Sequence, residues 1–126
     1  MSEQTRSLIL QHWELANERR WSEFSLLLHP ELLYEVPQTR EYIESGAGYL
    51  EMFSTWPGNW VATIKHLVCE EAKAICVIDF AVGTETMTGI SIFELNGGHI
   101  ARVTDFWPEP YEPPPRSTPY MKRRPE

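Results

Sequence analysis

The sequence predicts an α+β domain, with helices gathered towards the N-terminus and a long antiparallel meander after them. Three observations point there. Apolar residues recur at helical spacing only before Gly58, period-two alternation runs almost unbroken from Trp60 to Trp107, and Pro30, Pro37 and Pro57 stand where the pattern changes.

Ser2 can cap a first helix running to about Arg20, with Glu3 at its positive end and Leu8, Ile9, His12, Trp13, Leu15 and Ala16 as its apolar stripe. Trp21 to Leu28 reads as a short second helix, stopped at His29 because Pro30 disfavours helical backbone in the residue before it. Leu32 to Val36 alternates as a strand, with Leu32, Tyr34 and Val36 on one side; Pro37 ends it or places it on an edge. After a loop, a third helix begins near Ser45, buries Tyr49, Leu50 and Phe53, and stops at Trp56-Pro57-Gly58.

Four strands follow: Trp60 to Glu70, Lys73 to Thr84, Glu85 to Asn96 and Gly98 to Trp107. Their short connections force antiparallel neighbours, and Asn96-Gly97-Gly98 supplies the positive φ angles of a tight hairpin. Lys73 to Thr84 is apolar on both faces, with Ala74, Cys76, Ile78, Phe80 and Val82 on one and Ile75, Val77, Asp79 and Ala81 on the other. The unbroken face is expected to lie on the convex side of the sheet and to be covered by a second copy, giving a homodimer. The Pro-rich stretch after Trp107 should lie extended.

With 126 residues, of which 42% are hydrophobic, the chain makes one domain with enough apolar material for a core. A net charge of −7 argues against a phosphate-binding surface, and the basic run Lys122-Arg123-Arg124 falls in the Pro-rich tail, so no nucleic-acid partner is expected. No apolar run reaches the ~18 residues of a membrane span, and Met1-Ser2-Glu3-Gln4 has neither the basic start nor the apolar core of a secretion signal. A cytoplasmic protein without a membrane partner is expected. Cys69 and Cys76 flank a turn and read as reduced, buried thiols.

One residue breaks the apolar pattern. On the last strand Ala101, Val103, Asp105 and Trp107 share a face, so a carboxylate stands between a valine and a tryptophan. Such a group is costly to desolvate unless it is paired, protonated or open to a wet cavity. A salt bridge or a backbone cap at the strand end is one reading of Asp105, and a functional carboxyl in a cleft is the other.

The three-helix start, the YEVP edge strand (Tyr34 to Pro37), the helix ending FSTWPG (Phe53 to Gly58) and the closing GGHIARVTDFWPEPYEPP (Gly97 to Pro114) resemble the SnoaL-like branch of the nuclear-transport-factor-2-like superfamily. The resemblance covers Glu3 to about Arg116. It implies one domain over residues 1–116, with a tail at 117–126. It also implies a cone-shaped, curved mixed sheet wrapped round the first helix, with a pocket at its open end. In the ketosteroid isomerases of that superfamily the general base falls on Val36, the protonated aspartate of the oxyanion hole on Ser91, and a helix-one tyrosine on His12. The two aspartates of the limonene-epoxide hydrolases match Asp79 and Asp105, whereas their intervening arginine is Val77 here. The acid-base aspartate of the SnoaL-like cyclases again suggests Asp105.

Asp105 is thus the leading catalytic candidate, flanked by Val103. Asp79 is a possible second carboxyl, since two carboxyls close together hold one proton between them and divide acid and base roles. His12 is a possible donor, although a lone histidine on an apolar helix face is more often a satisfied core residue. Tyr34, Trp56, Met87, Phe93 and Trp107 suit a lining for a small hydrophobic or cyclic molecule, with Val36, Ser91 and His66 as further binding candidates. No phosphate loop, zinc-spaced Cys/His cluster or nucleophile elbow is present, so cofactor-free and metal-free proton transfer is expected. The alternative is a ligand-binding or dimeric interaction domain without catalysis.

Overall fold

Helix α1 (Ser2–Asn17) buries Ile9, His12, Trp13, Leu15 and Ala16, the stripe expected from its periodicity. It ends before Arg20 because Arg19 takes a left-handed conformation at φ 60°, from which its guanidinium stacks 3.9 Å over the Trp60 ring and donates to the Trp60 carbonyl. The computed structural model describes residues 2–125; Met1, and Glu126 at the end of the predicted tail, lie outside the described residues. Helix α2 is a single turn, Trp21–Ser25, and Leu28 already belongs to strand β1 (Leu28–Val36). Pro30 is tolerated there because the pairing of β1 with the last strand is interrupted between Leu28 and Leu33, so no ladder bond needs its missing N–H.

A turn with Arg40 at φ 64° leads to β2 (Glu41–Ile43), which hydrogen-bonds back onto β1. Helix α3 (Gly46–Thr55) follows, with the Ser45 hydroxyl accepting from the Gly48 N–H as its N-cap. The meander consists of β3 (Val61–Glu70), β4 (Lys73–Val82), β5 (Glu85–Asn96) and β6 (His99–Phe106). Together the strands form one curved, unclosed sheet in the order β2-β1-β6-β5-β4-β3. The β1–β6 contact is parallel and the others are antiparallel, which makes the sheet mixed. Residues 108–125 contain no helix or strand.

Two expectations about the sheet faces are corrected. Ala74, Cys76, Ile78 and Phe80 are at most 4% exposed within this single chain, because they form the inner face, under the helices. They are core, not a convex surface awaiting a partner. On β6 the inward residue before Val103 is Ile100 and not Ala101, since the ladder slips between Glu94 and Leu95 and Ala101 is the extra residue of a bulge. Asparagine also ties the layers together: the Asn17 side chain donates to the Ala62 carbonyl and accepts from the Ala62 N–H, both at 2.8 Å, fixing the end of α1 to the start of β3. Cys69 and Cys76 are both free thiols, Cys76 buried and Cys69 half-buried. Among the described residues no helix is long and apolar enough to cross a membrane.

Candidate functional site

Register on the inner face places one polar row. Ser91 of β5 pairs directly with Asp105 of the central strand β6, while Tyr34 of the parallel neighbour β1 lies beside Val103, one inward step away. Both hydroxyls reach the carboxyl: Tyr34 Oη donates to Oδ2 and Ser91 Oγ donates to Oδ1, each at 2.7 Å. Asp105 is 4% exposed, and among the described residues no cation pairs with it. Burial pushes its pKa up from 3.8 to about 6, with the Ser91 and Tyr34 hydrogen bonds pulling the other way. The same burial and the neighbouring Asp105 charge hold the Tyr34 phenol well above its ordinary value, so it stays a neutral donor.

Asp105 opens onto a cavity of about 170 Å³. Tyr34, Trp56, Met87 and Trp107 border it, and Trp13, Met52, Phe53 and Phe80 complete its wall. Trp56 and Met87 are nearly half exposed and mark the mouth. The lining is aromatic and thioether almost throughout, which excludes water and favours an apolar guest.

The other candidates fall elsewhere. Asp79 pairs with Thr88, one residue out of phase with Ser91, so alternation sends it to the outer face, where Lys65 Nζ lies 3.6 Å away. It cannot share a proton with Asp105 through the sheet. His66, opposite Val77 on that outer face, is exposed. His12 is fully buried behind the cavity among Trp13, Phe24, Tyr49, Phe53 and Phe93, with Nε2 2.7 Å from Tyr49 Oη. Burial lowers its pKa to about 3, so it is neutral, and its Nδ1 has no partner. Phe93 and Val103 are core beneath the row, and Val36 borders an adjoining hollow.

Sequence reasoning missed Phe80, which it assigned to an interface, and Gly89, the inward residue between Met87 and Ser91. A glycine in a strand interior was the available signal for Gly89, since it marks close approach of another group. A Cβ on Gly89 would lie 2.8 Å from Trp107 Cζ3. Among the described residues no three His, Cys, Asp or Glu side chains are grouped to hold a metal ion.

The chain matches the family model of the SnoaL-like domain over residues 9–103 and belongs to that family. A crystal structure of a candidate ketosteroid isomerase from Kribbella flavida is similar at TM-score 0.92 and 38% identity, covering 99% of this chain and 93% of that one. An NTF2-like protein of unknown function from Burkholderia xenovorans shares the fold at TM-score 0.80 and 17% identity, over 96% and 95% of the two chains. An LEH-like epoxide hydrolase of Mycobacterium tuberculosis shares it at TM-score 0.71 and 13% identity, over 85% and 84%. No curated protein matches the chain.

Proposed function

We propose that the protein is a cofactor-independent enzyme that moves a proton on an apolar small molecule, with Asp105 as the general base that then returns the proton. One observation carries this reading: a nearly buried carboxyl, with no cation beside it among the described residues, borders an otherwise apolar cavity, and its pKa is raised to about 6. A base works best with a pKa near the operating pH, and here the carboxyl is mostly ionised at neutrality yet basic enough to hold a proton. Each carboxylate oxygen already accepts one hydroxyl, which fixes the plane of the group and leaves its remaining lone pairs for a substrate proton. Removal of a proton beside a carbonyl, followed by its return to another atom, gives isomerisation. Its delivery to a departing hydroxyl oxygen gives dehydration, and its delivery to the oxygen of a carbonyl that the carbanion attacks within the same molecule gives ring closure. The designation of the Kribbella flavida relative as a candidate ketosteroid isomerase supports this class. Since Val36 is apolar, the base in this chain falls to Asp105.

A second reading, a binding domain without turnover, is favoured by the scarcity of charged groups in the lining, where Asp105 is the sole carboxyl among the described residues. The two separate on one experiment. Enolisable cyclic ketones are incubated in D2O with the protein and deuterium uptake is followed by NMR, alongside crystals soaked with ketones, enones and epoxides. Exchange at least ~100-fold faster than with Asp105→Asn is expected, the usual size of a general-base contribution. Ligand ordered against Asp105 with no difference in exchange would establish the binding reading instead.

A further inference from the structure

We infer that this site takes a single-ring ligand, and that Trp107 is the specificity-determining residue that sets the limit. The inference rests on the cavity at Asp105 being the functional site. Its volume, about 170 Å³, is close to that of an apolar protein cavity of about 150 Å³ that takes benzene. Pockets for drug-sized molecules begin at about 300 Å³. A ring of six to ten heavy atoms fills the space beside Asp105, whereas a skeleton of four fused rings would have to leave it.

Room for a longer molecule exists next door, behind a wall. A second, more open hollow of about 530 Å³ is bordered by Val36, Gln38, Thr39 and Tyr111, and Trp107 borders both spaces. Among the described residues Trp107 is the one common to both linings, and we take its ring as the partition. It is held from two directions. On the ring side, Gly89 gives it a seat: a Cβ there would stand 2.8 Å from Cζ3, closer than a Cβ approaches another heavy atom, and a tight 3.0 Å from Cη2. The φ of Gly89 is not in the left-handed region, so the position calls for glycine to admit the ring and not for backbone reasons. On the backbone side, Gln38 accepts from the Trp107 N–H at 2.5 Å and donates to the Trp107 carbonyl at 3.2 Å, a two-point clamp at the end of β6. A ring seated on bare backbone and clamped at its own peptide is a fixed wall.

The test measures binding, not turnover. Cyclohex-2-enone, a two-ring enone and a four-ring enone are titrated against the wild type and Trp107→Ala by ligand-observed NMR. The wild type is expected to bind the one-ring ketone at least tenfold more tightly than the two-ring compound, with no binding of the four-ring one. In Trp107→Ala the ratio of two-ring to one-ring affinity should rise at least tenfold, because the two hollows merge. Should that variant not fold, Gln38→Ala, which keeps the indole but frees its peptide to shift, must move the ratio the same way. Tight binding of the four-ring enone by the wild type overturns the inference. So does an unchanged ratio in the folded variant, or a wild type that binds none of the series. A wild type that sorts the rings in this way but exchanges no protons into them would fail the catalytic reading and leave this one intact.

Discussion

Asp105 and His12 are buried titratable groups whose linkage to stability runs in opposite directions. A carboxyl with a folded pKa near 6, against 3.8 ordinarily, binds its proton more tightly in the native state than in the unfolded chain. Its contribution to stability is present below about pH 4, is lost as pH rises through 6, and stays lost above; the difference amounts to about 3 kcal/mol. His12 behaves conversely, because its folded pKa is about 3 against 6.5, so its contribution is present above pH 6.5 and is lost as pH falls. His12→Phe keeps the aromatic packing but strands the Tyr49 hydroxyl, a loss of about 1–3 kcal/mol at pH 7.5. Near pH 4.5 the order should reverse, with the variant at least as stable as the wild type, since it has no imidazole to protonate. Urea melts at the two pH values check this. The sequence showed a carboxyl out of place between Val103 and Trp107 but not its partners: Tyr34 is 71 residues away, and no local pattern connects them.

At the scale of elements, boundaries set by capping and turn chemistry were legible, as the N-cap at Ser45 and the hairpin at Gly97-Gly98 show, whereas Pro30, read as a helix stop, lies inside β1. Those decided by tertiary contact were not. Strand β2 consists of Glu41, Tyr42 and Ile43, too short and too exposed to carry an alternation, and it exists because β1 offers an edge to pair with. Helix α1 stops early because Arg19 and Asn17 find partners on Trp60 and Ala62, more than forty residues on. The Asn17 clamp holds α1 against the sheet edge. Asn17→Ala removes two part-buried hydrogen bonds and leaves the Ala62 N–H and carbonyl without them, so a loss of about 2 kcal/mol is expected by chemical denaturation. A loss below ~0.5 kcal/mol would mean that water replaces the amide fully.

For the whole molecule, the fold class followed from the order of helices and strands, but the side of the sheet that faces the helices did not. Strand β4 is apolar on both faces, so alternation alone could not say which one is core, and the assignment came out reversed. Burial of Ala74, Cys76, Ile78 and Phe80 leaves the outer face to Ile75 and Val68, both exposed, and to the half-buried Val77, Ile90, Ile92 and Phe106. These residues lie in neighbouring cross-strand rows, and we propose that a second copy of the chain covers them. Light scattering at micromolar concentration should give a dimer for the wild type and a monomer for Ile75→Glu/Ile92→Lys with unchanged circular dichroism. A monomeric wild type would remove the proposal.

A group kept for chemistry and not for folding leaves its mark on the stability of the entire domain. The most direct test is the unfolding free energy of Asp105→Asn relative to the wild type between pH 4 and 8, measured beside deuterium exchange into a cyclic ketone. Asparagine preserves the shape, and the Tyr34 and Ser91 hydroxyls can rotate to meet it. The account predicts that the variant is at least as stable as the wild type at pH 7, that its advantage grows from pH 4 to 6 and levels above, and that exchange collapses. A variant less stable by about 3–5 kcal/mol at pH 7, with ketone exchange intact, is the signature of a structural buried pair and would contradict it.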